Sequence, residues 1–236
     1  MKKKLLAVVL TGVLSVSVVA CGSSSDNKDN SVSKKSTTEA TTSKKEVKLV
    51  ESGYNIVKSD SDRYLYYAAT LKNPNENYAL EFPKIIVTAK NKDGSILASD
   101  EQVLNYIAPG DKVSFANMTD CKGKTPYKVE ITTDSGDYIS FDSEQMVPTK
   151  TFKVSNISES KGDFGEYSYT GEVENKGKRD ISQVAVTILL KKKGKIVSGT
   201  TTFIDDLKAG SKKAFDTSEY NLPSHDEYVI SASSWE

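Results

Sequence analysis

Residues 167–175 read Tyr167-Ser168-Tyr169-Thr170-Gly171-Glu172-Val173-Glu174-Asn175. Tyr167, Tyr169, Gly171 and Val173 fall on one side of a period-two pattern, and Ser168, Thr170, Glu172 and Glu174 on the other. Side chains alternate across a β-strand, so the stretch predicts a strand with one buried and one solvated face. Asn175 ends it and Lys176-Gly177 supplies a turn. A related segment stands earlier, from Tyr67 to Asn73, followed by a turn at Pro74-Asn75. Carrying the register across turns Leu65, Tyr67, Ala69 and Leu71 inward and Tyr64 and Tyr66 outward.

The match continues beyond these strands. Gly94 corresponds to Gly194, Gly110 to Gly210, Phe115 to Phe215 and Val129 to Val229, all at one spacing. Chance seldom keeps one spacing through four such positions, so the chain is an internal repeat. Within each copy an apolar stretch (Ile85-Ile86-Val87; Val184 to Leu190) leads to a glycine turn. Gly110 after Pro109 suits the second central position of a type II turn. No long run at helical spacing follows residue 46. Short strands with frequent turns predict an all-β chain of two tandem antiparallel β-sandwiches, residues 47–147 and 148–236. The first copy carries an extra segment, expected as a hairpin of Tyr127–Thr133 and Tyr138–Phe141 turning at Asp134-Ser135-Gly136. Trp235 is expected to be pinned into its own sheet or against the neighbouring sandwich.

Before the repeats come a different beginning and a polar stretch. Lys2-Lys3-Lys4 precedes an apolar segment, Leu5 to Val19, diluted by Thr11, Gly12, Ser15 and Ser17. It falls short of the roughly 20 apolar residues of a comfortable span and reads as a secretory signal over residues 1–20. Residues 21–46 are dominated by Ser, Thr, Lys, Asn and Asp. They cannot bury enough apolar surface to offset the entropy of ordering, and read as a disordered linker.

Composition narrows the function classes. The 236 residues carry 32 basic and 32 acidic side chains. Loss of Lys2, Lys3 and Lys4 with the signal leaves 29 against 32. Nucleic-acid binding calls for a concentrated basic face, which this balance does not provide. Cys121 is the one cysteine besides Cys21, so no disulfide is available within the mature chain. It reads as a small buried hydrophobe, with a reactive thiol as the alternative because Lys122 and Lys124 stand beside it.

No set of residues in the sequence reads as a catalytic constellation. His225, the sole histidine, lies in the polar turn Pro223-Ser224-His225-Asp226-Glu227 and is expected to be an exposed loop residue. Asp60-Ser61-Asp62 and Asp205-Asp206 lack the spacing of a complete calcium loop and read as solvated turn acids. There is no phosphate-cradling glycine loop before a helix and no nucleophile elbow. No enzyme activity, cofactor or metal is therefore expected. Tyr64 and Tyr66 are candidate contacts for a protein partner, since tyrosine offers apolar area with a polar tip. The alternative is that they pack on the neighbouring sandwich.

Two resemblances sharpen these expectations. Val18-Val19-Ala20-Cys21 resembles the lipobox of bacterial lipoproteins. That implies cleavage between Ala20 and Cys21 and a lipid anchor on the Cys21 sulfur, at the extracytoplasmic face of a bacterial cell membrane. Two acyl chains hold stably where one holds only marginally. The repeats resemble FxLYD-type domains, small immunoglobulin-like modules of bacterial surface proteins. The resemblance rests on the strand ending in Asn (Leu71-Lys72-Asn73; Val173-Glu174-Asn175), the glycine turns, and the closing pattern of Pro109-Gly110 to Phe115 and Ala209-Gly210 to Phe215. It implies architecture and not mechanism, because the family has no common activity. The expectation is a non-enzymatic envelope lipoprotein serving protein interaction or scaffolding, with an envelope protein as partner. The alternative is a substrate-binding lipoprotein associated with a transporter.

Overall fold

The computed structural model describes residues 43–163, 165–220 and 222–236. The signal, Cys21 and the linker up to residue 42 lie outside the described residues. The chain is all-β, built as immunoglobulin-like β-sandwiches. The first copy holds β1 (Lys48–Ser59), β2 (Asp62–Lys72), β3 (Tyr78–Glu81), β4 (Lys84–Lys90), β5 (Ile96–Val103), β6 (Tyr106–Ile107), β7 (Lys112–Asp120), β8 (Lys128–Asp134) and β9 (Asp137–Ser140). A 3₁₀ turn at Thr149–Thr151 opens the second copy: β10 (Phe152–Lys161), β11 (Tyr167–Asn175), β12 (Ile181–Lys192), β13 (Lys195–Leu207), β14 (Lys212–Glu219) and β15 (Glu227–Ser234).

The repeat read from the glycine spacing is a repeat of topology. Antiparallel sheets run β1-β2-β7 and β5-β4-β8 in the first copy, and β10-β11-β14 and β13-β12-β15 in the second. The turns repeat as well. Gly110 and Gly210 both have positive φ (71° and 67°). Asp111 donates its N–H to the Ala108 carbonyl and Ser211 to that of Lys208, each at 3.1 Å, as the type II reading requires. The conserved turn chemistry includes the strand-ending asparagines. Asn73 Nδ2 donates to the carbonyls of Tyr78 and Ile107, while its Oδ1 accepts the Asn75 N–H. Asn175 Nδ2 donates to the Arg179 and Leu207 carbonyls, and its Oδ1 accepts the Gly177 N–H. Each buried amide thereby satisfies main-chain groups that a loop would leave unpaired.

Two expectations need correction. Residues 128–140 form no hairpin: β8 pairs with β4, whereas β9 pairs with β3 in the small sheet β6-β3-β9. Gly136, at φ 62°, turns the chain from one sheet into the other. The linker also ends earlier than residue 46. Asn75 accepts the Lys45 N–H on Oδ1 and donates Nδ2 to the Lys45 carbonyl, both at 2.8 Å. Ser135 Oγ accepts the Val47 N–H, so residues 45–47 are fastened to the first sandwich.

The inward register holds: Leu65, Tyr67, Ala69 and Leu71 are all fully buried in the first core. The outward register separates the two copies. On β2, Ala68 and Thr70 are buried too, because sheet β1-β2-β7 packs face to face on sheet β13-β12-β15. On β12, seven consecutive residues from Val184 to Leu190 are buried. Val184 and Val186 enter the second core, while Leu189 joins Ile196 against Ala68 and Ala116. Thr187 Oγ1 donates to the Ser114 carbonyl (3.0 Å), and Thr201 Oγ1 accepts the Ala116 N–H (3.1 Å). These hydroxyls satisfy main-chain groups of β7, an edge strand otherwise open to pairing. A Lys191–Glu51 ion pair at 2.9 Å closes the rim. Trp235 stacks on Phe115 at 4.7 Å and 13°, pinning the C-terminal strand against the first core.

Close approach at this interface depends on Gly53. A Cβ there would sit 1.9 Å from the Ile196 carbonyl oxygen. Since both atoms of that clash belong to or abut backbone, neither can rotate away. Gly53→Ala should lower unfolding stability by about 1–3 kcal/mol, as overpacking does. Urea titration by tryptophan fluorescence checks this, Trp235 lying at the interface; an unchanged midpoint would mean that β1 and β13 do not meet.

Candidate functional site

Three places carry candidate functional side chains: the tyrosine face of β2, a cleft beside the connection between the copies, and a cluster around His225.

The tyrosine face is partly enclosed. Tyr66 is half-buried and packs on the cluster of Tyr169, Ile188, Leu190 and Leu222 from the second sandwich. Burial, and next Glu219 and Tyr64, push its hydroxyl above the ordinary tyrosine range. Tyr64 is half-buried as well. Of the two expectations for these residues, packing on the neighbouring sandwich is the one Tyr66 meets. The second copy has Ser168 at the position of Tyr66, and there the strand faces solvent. The signal for this difference was the contrast of Tyr66, Ala68 and Thr70 with Ser168, Thr170 and Glu172.

The cleft has a volume of about 650 Å³. Its wall includes Asn77, Pro109 and Asp111 from the first copy and Phe141, Pro148 and Lys150 from the connection. Asp111 is already engaged: its carboxylate accepts the Thr149 N–H at 2.7 Å and the Thr149 hydroxyl at 2.5 Å. Those bonds fix the connection on the first sandwich and set the width of the cleft.

His225 is the residue that sequence reasoning misplaced. Its side chain is 3% exposed. Nδ1 lies 3.0 Å from the Pro223 carbonyl oxygen, Nε2 lies 2.5 Å from Glu159 Oε1 and 3.1 Å from the Tyr169 hydroxyl. Tyr169 donates its hydroxyl to the same Glu159 oxygen at 2.7 Å. The Tyr167 ring stands 4.9 Å away. A polar turn in sequence becomes a shielded polar cluster because Leu222, three residues earlier, anchors the segment in the core. Tyr169 has its counterpart in Tyr67, which is fully buried and donates to Asp100 Oδ2 at 2.5 Å. Burial and the neighbouring carboxylate push both hydroxyls well above the ordinary range.

The remaining sequence candidates lie apart from these places. Cys121 is buried in the first core. Burial, and secondarily Asp120, push its thiol up, against a smaller lowering by the Leu65 backbone. Such a thiol is held as the unreactive protonated form, not as a nucleophile. Asp60 sits in the tight β1–β2 turn at φ 48°, and Asp205 Oδ1 accepts from Gln183 Nε2. Among the described residues no group of three or more His, Cys, Asp or Glu is placed to hold a metal ion. Ala20 and Cys21 lie outside the described residues.

No protein-family model matches the chain, and no curated protein matches it. Among solved structures, a calcium-binding mutant of Bacteroides uniformis β-glucuronidase 2 matches at 11% identity with a TM-score of 0.21. The match covers 74% of this chain and 28% of that one. At so low a TM-score nothing of the glucuronidase transfers to this chain.

Tyr66→Ser, which installs the residue found in the second copy, should lower unfolding stability by about 1–3 kcal/mol through lost apolar burial. A solvent-facing partner contact would leave the urea midpoint in place. In the chain beginning at Cys21, a thiol reagent should label Cys21 rapidly and Cys121 only after denaturation; rapid native labelling of both would contradict the burial of Cys121.

Proposed function

We propose that the protein is a lipid-anchored, non-enzymatic lipoprotein of the bacterial envelope, displaying its paired sandwiches on the extracytoplasmic face for protein interaction or scaffolding. The observation that carries this reading is the run from Lys2 to Cys21, with its basic start, short apolar core and terminal Val18-Val19-Ala20-Cys21. A lipid at Cys21 and a polar segment behind it would hold the module near the membrane without spanning it.

The packing supports scaffolding over two independent binding beads. The apolar outward faces of β2 and β12 are used on one another, which joins the copies into one body. What such a body offers a partner is its loops and the polar outer faces of β4 and β11. A partner bound there would be recognised by hydrogen bonding and charge more than by an apolar patch. The cleft of about 650 Å³ favours a second reading, a substrate-binding lipoprotein serving a transporter, since ligand sites commonly fall in that size range.

Cys21→Ala should move the protein from the membrane to the soluble fraction, or leave it unprocessed with the signal attached. Fractionation of cells fed a labelled fatty acid reads both the location and the loss of label. Retention of a cleaved Cys21→Ala chain in the membrane would overturn the anchor. Lys150→Glu separates the two readings: it should leave chemical crosslinks to an envelope protein in place, whereas a cleft-bound solute would be lost.

A further inference from the structure

Charge is balanced over the whole chain, but the first sandwich concentrates lysine along one line. In sheet β1-β2-β7, Lys48 stands opposite Lys72, and Lys72 opposite Lys112. The row crosses three neighbouring strands about 5 Å apart, with all three side chains on one face. That face also carries Thr70 and Ser114, whose hydroxyls are hydrogen-bonded at 2.9 Å one row further in. Lys48 and Lys112 are exposed and Lys72 is half-buried. Among the described residues none of the three lies within ion-pair distance of a carboxylate. Acids beside the row are engaged elsewhere. Glu51 pairs with Lys191 at 2.9 Å, and Asp111 accepts the N–H and hydroxyl of Thr149. Glu46 lies toward Thr133 and Ser135.

The second copy has a different arrangement at this place. Glu174 precedes Asn175 as Lys72 precedes Asn73, and it stands between Lys153 and Lys212 on the neighbouring strands. There the row alternates in sign, and the central carboxylate offsets both lysines. Like charges directly opposite destabilise a sheet, and opposite charges stabilise it. Lys72 therefore costs the first copy stability that Glu174 does not cost the second, a trade that binding surfaces commonly show. The row also lies at the end where the chain enters. Lys45 is held by Asn75, just beyond β2, and Val47 by Ser135. Lys44 Nζ stands 5.2 Å from the centre of the Tyr138 ring and 5.6 Å from that of Tyr78, a cation–π clamp. Residues 22–42, between Cys21 and this clamp, span at most about 75 Å at full extension.

We propose that Lys48, Lys72 and Lys112 seat the phosphate groups of an anionic lipid surface, turning the entry end of the first sandwich toward the bilayer. The proposal rests on the lipid anchor for the nearness of that surface. An ammonium is a compact point charge that makes no bidentate fit. A row of them suits an array of mobile headgroups better than one shaped ligand. Each lysine near such a surface strengthens binding by about fivefold, and the attraction fades within a Debye length. Three lysines alone give a weak, salt-sensitive contact. An anchor holding the module close raises its effective concentration, so that a weak contact suffices to choose which end faces the lipid. The cleft walled by Asn77 and Pro109 is built from the loops of this same end, and seating would bring it to the membrane side.

The test floats the chain beginning at Cys21, without lipid, with vesicles rich in phosphatidylglycerol and with vesicles of phosphatidylcholine alone. It should partition to the anionic vesicles only, and less as salt rises. Lys72→Glu installs the residue of the second copy and changes two charges. It should weaken partitioning by about thirtyfold without lowering the urea midpoint, so that lost binding is not lost folding. Lys92→Glu, in the exposed turn at the far end of β4, makes the same charge change away from the row and should leave partitioning nearly unchanged. Should the Lys72→Glu chain not fold, Lys48→Gln with Lys112→Gln removes two exposed charges and answers the same question. No partitioning, equal partitioning to both vesicles, or an equal loss from Lys92→Glu would overturn the seat. Binding of inorganic polyphosphate without binding of vesicles would overturn it too, in favour of a soluble polyanion. Because the chain carries no lipid, failure here leaves the anchor untouched, and failure of the Cys21→Ala fractionation leaves the vesicle result standing.

Discussion

The face-to-face contact of β2 and β12 is the constraint on which the rest of the structure depends. A strand in an ordinary sandwich has one face for the core and one for water. Here both central strands have two buried faces, so four sheet layers stack where two sandwiches in tandem would expose two apolar surfaces. The consequence is visible strand by strand. β4 alternates buried and half-buried residues from Lys84 to Lys90, and β11 alternates buried with exposed or half-buried residues from Tyr169 to Asn175 where it looks outward. β2 and β12 lose that alternation over the stretches where they meet. Small side chains set the spacing: Ala68, Ala116 and Gly53 bring the backbones close, and Leu189 and Ile196 fill the space they leave.

Polar groups at this interface are handled without burying an unpaired charge. Two threonines supply hydroxyls to the main chain of β7, and the Lys191–Glu51 pair stays at the partly solvated rim. Rim pairs of this kind contribute little to stability. They favour one orientation of the sandwiches over others, since a slipped packing would part the lysine from its carboxylate. The apolar contact thus supplies most of the adhesion and the polar contacts set the register.

Much of the fold was legible because turns and alternation are local. Gly94, Gly110, Gly194 and Gly210 all have positive φ, and the inward set of β2 followed from the register of β11. What sequence reading missed depends on contacts between distant residues. The run Val184 to Leu190, apolar except for Thr187, is the signature of a strand buried on both faces, yet from sequence it is equally a strand of any inner sheet. Tyr64 and Tyr66 could be seen to point outward, but outward means toward a second sandwich only once that sandwich is placed. Residues 128–140 have hairpin spacing, and only the pairing partners β4 and β3 decide that they part. His225 gave the least warning, since Ser224, Asp226 and Glu227 surround it with solvent-loving neighbours and Glu159 is 66 positions away.

The two copies show how a shared core position can acquire different chemistry. Tyr67 and Tyr169 occupy the same place, and each donates a buried hydroxyl to a carboxylate, a bond strengthened by its surroundings. In the first copy the acceptor is Asp100 of β5, which also accepts from the Gln102 and Asn117 side chains. In the second the acceptor is Glu159 of β10, and no amide reaches its Oε1; an imidazole does. The same tyrosine–carboxylate pair is therefore completed by side-chain amides in the first sandwich and by an imidazole in the second. Because Tyr169 and Leu222 also pack with Tyr66 of β2 and with Ile188 and Leu190 of β12, the cluster of the second sandwich is continuous with the contact between the two copies.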